Sequence, residues 1–250
     1  VKSLFIAITV LLALTSMSFA YKIVIVAADD DEAGTQLISQ LKSQPNMDTV
    51  DWWNTNTKGL PSLAQIQAYD GVMTFSDYDY PDATTWGNRL ADYVDSGSKR
   101  CVVTAAFCYM GGYELDLKGK FADTPYNPFK AVDDAFGGDG YTLNVAAPDI
   151  PNHPILDQVS SLWVYLIDAD IPLTSCGVSV CKWTNKMNAI AYSKQKRVVG
   201  FTGFVGYGEY GYYTGDAARM IRNAFVWMIE KWYGTSIETT SIGNIKALYK

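Results

Sequence analysis

Three short runs, "YKIVIVAA" (21–28), "GVMTFS" (71–76) and "RCVVTAA" (100–106), are apolar on both faces, and stretches of helical period separate them. A strand that hides both faces belongs in the middle of a sheet covered by helices on either side. That requirement excludes an open antiparallel sheet and most all-β architectures. The intervening segments supply the covering layers: "AGTQLISQLKSQ" repeats Leu37, Ile38 and Leu41 at helical spacing, and "WGNRLADYVDSG" repeats Leu90, Tyr93 and Val94 before Gly97 stops it. "TVDWWN" (49–54) predicts a further strand, and Pro61 opens a short helix carrying Leu63, Ile66 and Tyr69. Strands alternating with amphipathic helices imply βαβ crossovers and a mostly parallel sheet, the α/β class.

Periodicity fails from Gly111 to Gly140, where Gly, Pro and Asp accumulate, and the segment reads as a long excursion. Strand-like runs resume at "YTLNVAA", "LWVYLIDA", "NAIAYSK" and "RVVGFTGFV", with "KQKR" (194–197) as the hairpin tip between the last two. The final helix, "TGDAARMIRNAFVWMIEKWYG", is capped by Thr214 or Asp216 and buries Ala217, Ile221, Ala224, Phe225 and Met228, with Gly234 as its stop.

The first 20 residues, "VKSLFIAITVLLALTSMSFA", follow a secretory pattern: Lys2, an apolar run from Leu4 to Leu14, then Ser18 and Ala20. Cleavage after Ala20 and export are expected, with an uncleaved membrane anchor as the alternative. A single domain over residues 21–234 then precedes a Ser/Thr-rich, finally basic tail at 235–250, read as a frayed terminus or as a short sorting signal. Without the leader the chain carries 19 basic against 26 acidic residues, a net charge of −7, which argues against nucleic acid and anionic membrane as partners.

Four cysteines in an exported chain make disulfides feasible. Cys176 and Cys181 bracket "GVSV", a loop that a bridge would clip. Cys101 and Cys108, seven strand steps or roughly 23 Å apart, are expected to stay thiols.

In a doubly wound sheet, ligands favour the crevice outside the carboxyl ends of the strands. "DDDE" after the first strand, "SDYDYPD" after the third, Cys108 after the fourth and "GYGEYGYY" after the last are all expected on that edge. Asp29, Asp30, Asp77, Asp79 and Glu209 would accept sugar hydroxyls there, with Tyr207, Tyr210 and Tyr212 stacking on sugar faces. Read blandly, each acidic loop is solvated charge at a helix N-terminus. "DYDYPD" lacks the glycine and distal glutamate of an EF-hand, and there is no zinc-type Cys/His cluster, Walker loop or G-x-S-x-G motif, so no cofactor is expected.

Taken in order, "YDGVMTFSD", "LADYVDSGSKRCVVTAA", "NHPIL", "KRVVGFTGF" and "TGDAARMIRNAFVWMI" resemble the class I glutamine amidotransferase-like superfamily, and its trehalose-utilisation (ThuA-like) branch in particular. The resemblance covers most of residues 21–233 and implies a flavodoxin-like three-layer α/β/α sandwich. It places Cys108 at the family's nucleophile position, but Ala106, Met110 and Gly112 stand where the motif's two glycines and glutamine belong. The lone histidine, His153, sits in an "HPI" segment like that of the ThuA-like branch, 45 residues after Cys108, rather than before the final helix. A thiol nucleophile needs a base and a group orienting it, and the expected triad is broken. The resemblance and the aromatic–acidic edge together lead to an exported binding domain with carbohydrate as ligand. Alternatives are a hydrolase or amidase using Cys108 with Glu209 or Asp77 as base, and a structural cell-surface protein.

Overall fold

A computed structural model describes residues 20–231. Leader residues 1–19, the helix stop at Gly234 and the tail lie outside these residues.

Seven strands form the main sheet: β1 (Tyr21–Ala28), β2 (Met47–Asn54), β3 (Gly71–Ser76), β4 (Cys101–Thr104), β5 (Gly177–Lys182), β6 (Asn188–Ser193) and β7 (Val198–Phe201). Their order is β5-β6-β7-β4-β3-β1-β2. The run β7-β4-β3-β1-β2 is parallel, whereas β6 pairs antiparallel with β7 and β5 antiparallel with β6.

Helices α1 (Thr35–Lys42) and α3 (Ala217–Glu230) cover one face and α2 (Ala83–Asp95) the other. Strand alternation sorts β1 between them: Ile23, Ile25 and Ala27 pack with Leu37, Leu41, Ile221, Phe225 and Met228, while Val24, Val26 and Ala28 pack with Trp86, Leu90 and Tyr93. The molecule is a flavodoxin-like α/β/α sandwich.

The excursion after β4 folds back over α2 at a point that demands glycine. A Cβ on Gly87 would lie 1.8 Å from the Lys118 carbonyl oxygen, so only a residue without one lets the chain pass.

Three sequence expectations change. "YTLNVAA" and "LWVYLIDA", read as strand-like throughout, are strands only in short pieces: Tyr141–Thr142 and Leu162–Val164 form a small antiparallel sheet with Tyr213–Gly215, and Ile167–Asp168 pairs with Phe136–Gly137. The bracketed "GVSV" is not a loop but most of β5. All four cysteines are free thiols, and Cys176 and Cys181 stand at opposite ends of about 16 Å of extended chain, beyond disulfide reach. Cys176 donates to the Asn127 carbonyl (3.3 Å) and Cys181 to that of Asn144 (3.3 Å). Unfolding without reductant should expose four titratable thiols; two would restore the bridge. The third change concerns α3, whose first turn Asp216 does not cap with its side chain. That carboxylate instead accepts from the Ser160 and Ser161 amides at 2.8 and 3.2 Å, tying α3 to the preceding loop.

Candidate functional site

The chain leaves β1 for β2 on one side and returns to β3 on the other, so the topological switch point lies between β1 and β3. Ligands of open α/β sheets favour that crevice. β1 delivers Asp29 and Asp30 to it, and β3 delivers Asp77 and Tyr78. The amides of Asp77 and Tyr78 donate to the Ala28 carbonyl at 3.0 and 2.9 Å and clamp the two loops together. After Asp30 a 3-10 turn, Asp31–Gly34, enters α1. Gly34 is required there, since a Cβ would stand 2.5 Å from the Trp52 ring. Trp52 and Asn54, at the end of β2, each donate to the Asp31 carboxylate at 3.0 Å and hold it below the usual range.

The loop after β7 closes the site. Tyr207 adopts a left-handed backbone (φ 51°, ψ 40°), which is uncommon for a residue with a side chain. Its amide donates to the Ala33 carbonyl (3.0 Å), and its hydroxyl reaches Asp29 Oδ1 (3.0 Å) and Asp30 Oδ2 (3.1 Å). Tyr78 donates to the same Asp30 oxygen (3.3 Å), and Tyr210 donates to Glu32 (3.2 Å). Rings continue outward: Tyr207 lies 6.0 Å from Tyr210 and 5.9 Å from Tyr212, and Tyr212 lies 5.5 Å from Tyr165.

Asp29 is fully buried. Its Oδ1 accepts the Asp30 amide (2.7 Å), while Oδ2 meets no donor among the described residues. Desolvation, reinforced by the charges of Asp77 and Asp30, pushes its carboxyl up to about 7. Asp77 rises for the same reasons, desolvation first and the Asp30 charge second, although its side chain reaches solvent.

Asp29, Asp30, Asp77 and Tyr207 therefore come together, with Tyr210 and Tyr212 beside them. Asp79 and Glu209 do not join them. Asp79 is exposed and its charge acts on Lys118; Glu209 is exposed beside Tyr210 and Tyr213. Tyr78 and Asp31 were missed as site residues, although Tyr78 lies within the quoted loop "SDYDYPD" and Asp31 within "DDDE".

Cys108 follows the carboxyl end of β4, beside that of β3, but lies sealed beneath the edge rather than open to it. β4 ends at Thr104, and the chain turns so that the Cys108 amide donates to the Ala105 carbonyl (3.1 Å). Its thiol, fully buried on the α2 face, donates to the Thr74 carbonyl (3.5 Å) and lies 3.7 Å from the Tyr80 hydroxyl. Burial pushes it well above the usual thiol range, and the nearby Asp168 and Asp116 push it further. His153 lies across the sheet, stacked on Tyr192 and edge-on to Trp227, with ring centroids 5.5 and 4.8 Å away. Its Nδ1 accepts the Ile155 amide (3.3 Å), and burial lowers it to about 4. It cannot serve Cys108 as a base.

No family model matches the chain. No curated protein matches either. Among solved structures, a Thermoplasma acidophilum protein provisionally described as a GMP synthase component is similar over 91% of this chain and 98% of its own, at 11% identity and a TM-score of 0.47.

Proposed function

We propose that this chain is an exported, non-enzymatic binding domain for a carbohydrate, built on an amidotransferase-like scaffold without the amidotransferase thiol chemistry. One observation carries the reading: at the β1/β3 switch point, Asp29 and Asp30 both meet the Tyr207 hydroxyl, Asp77 stands close enough for its charge to act on Asp29, and the Tyr78 and Tyr210 rings are exposed beside them. Carboxylates accept sugar hydroxyls and tyrosine rings cover sugar faces. Against the hydrolase alternative stand the sealed, high-pKa thiol of Cys108 and the distant His153. The ThuA-like resemblance supports the carbohydrate reading from the sequence side, and the leader supports export.

A second reading has its own observation. An Asp29 carboxyl near 7 beside other carboxylates suits a general acid, as in glycoside cleavage.

The test combines ligand-induced stabilisation with thiol labelling. A carbohydrate at about 100 times its Kd should add about 2.7 kcal/mol, a rise of roughly 5–10 °C in Tm, while Cys108 in the folded protein resists alkylation at pH 7. No stabilisation by any member of a mono- and oligosaccharide panel, together with rapid alkylation of Cys108, would reverse the order of the hypotheses. Release of reducing ends that is lost in Asp29→Asn would favour the general-acid reading.

A further inference from the structure

Asp29, Asp30, Glu32 and Asp77 take part in no ion pair; the six ion pairs among the described residues all lie elsewhere. Asp29, Asp30 and Glu32 take tyrosine hydroxyls as their side-chain donors, and the charge of Asp77 acts on Asp29 from the facing loop. Asp29 is the most telling of them. It is wholly buried in the cluster, yet Oδ2 has no hydrogen-bond donor among the described residues, an arrangement that costs free energy until positive charge comes near.

The surroundings narrow the chemistry of what approaches. The large hydrophobic side chains exposed among the described residues are Tyr78 (46%), Tyr113 (50%), Phe136 (56%), Tyr165 (43%) and Tyr210 (65%), all aromatic. Tyr78 and Tyr113 sit in irregular segments following main-sheet strands, Tyr165 between two short strands, Phe136 in a short strand pair outside the main sheet and Tyr210 in a 3-10 turn. Tyr78 and Tyr210 bond the cluster itself, and Tyr165 joins it through Tyr212. Phe136 packs on Phe107, and Tyr113 precedes the Glu114 carbonyl that accepts the Tyr80 amide. Aromatic faces attract cations and cover sugar rings, and carboxylates attract cations. A bare metal ion fits poorly, because no group of three His, Cys, Asp or Glu side chains among the described residues is arranged to hold one.

We infer that the ligand of this site is a cationic glycan, an oligosaccharide whose rings carry protonated amino groups. The inference rests on the carbohydrate reading above and adds the charge of the ligand to it. The ammonium groups sit against Asp30 and Asp77, and the positive charge stabilises the buried Asp29 carboxylate beneath Tyr207. The rings lie on the exposed aromatic rim. Neutral sugars leave the carboxylates mutually repelling, and acidic sugars add to the repulsion.

Three β-1,4-linked tetramers with the same ring and linkage test this: glucosamine, N-acetylglucosamine and glucose, which differ at one substituent. Calorimetry in mildly acidic buffer keeps the amines protonated. The glucosamine tetramer should bind about tenfold tighter than the other two, the gap should close at high salt, and the Asp30→Asn/Asp77→Asn double variant should abolish it. Equal affinity for all three would overturn the cationic inference and leave the carbohydrate reading standing. Binding by none of the three would overturn both. A lysine tetrapeptide binding as tightly as the glucosamine tetramer would show that the site reads charge without reading sugar, and would overturn the inference from the other direction.

Discussion

Asp29→Asn is expected to stabilise the ligand-free protein at neutral pH by as much as about 4 kcal/mol, an unusual result for a substitution in a buried polar site. The group's carboxyl rises from 3.8 to about 7 on folding, chiefly by desolvation. Between those values the native state keeps a proton that the unfolded chain has released, so this group's contribution to stability falls as pH rises from about 4 to 7. Asparagine, neutral and similar in shape, never pays that desolvation cost. His153 works in the opposite sense: burial lowers it from 6.5 to about 4, so acid must charge a buried ring and stability falls as pH drops through that range. The two slopes oppose each other in the wild-type protein, which should look deceptively flat between about pH 4 and 6.5. Urea unfolding of wild type and Asp29→Asn in parallel separates them, since His153 is common to both. The difference should grow from near zero at about pH 4 to its full size at about pH 7. A difference that does not change with pH would mean that Asp29 does not titrate as described.

Trp86→Ala carries the other large expected effect, a loss of about 3–5 kcal/mol and roughly 10 °C in Tm. Trp86 is fully buried on α2, and its indole donates to Thr74 Oγ1 at 3.1 Å. Thr74 in turn bonds the Val26 carbonyl and the Tyr80 hydroxyl (2.8 Å each), and Tyr80 lies against Cys108. The tryptophan therefore locks the layer that seals the thiol as well as filling volume. Two measurements check this: the denaturation midpoint, and the alkylation rate of Cys108 in the folded variant, which should rise. Thr74→Val keeps the shape and removes the hydroxyl, and should cost less, about 1–3 kcal/mol. If Trp86→Ala costs no more than Thr74→Val, the side chain's packing contributes little and the account of this layer fails.

The sequence made the scaffold legible wherever burial imposes a pattern. β1, β3 and β4 are covered on both faces, and continuous apolar runs announce them; α2 and α3 show their buried faces at helical spacing. β5 was hidden because "GVSVCK" is a half-exposed edge strand without an apolar run, and two cysteines suggested a different reason for its sequence. "LWVYLIDA" misled in the other direction: it is strand-like throughout, but Tyr165 projects outward and the chain breaks into two short pairings above the sheet. At the site, Asp29, Asp30 and Asp77 were placed by topology alone, because strand ends in a parallel sheet share an edge. Asp79 and Glu209 were not separable from them, since one further residue of loop decides which way a carboxylate faces. Cys108 was placed after β4 by the same logic, but its burial was unreadable, because that depends on a turn that begins after β4 and before the cysteine itself.

The last strand pair also governs how the molecule meets its neighbours. The rim of β5 is not left open: the amides of Ile150 and Asn144 donate to the Val180 and Lys182 carbonyls at 3.2 and 2.9 Å, and irregular register between Ser179 and Lys182 bends the strand away from a flat line. An open, straight strand rim invites another chain to add itself, and these two features remove the invitation on that side. Assembly by sheet extension is thereby discouraged at β5, which leaves β2 as the rim of the sheet where such an addition would have to occur.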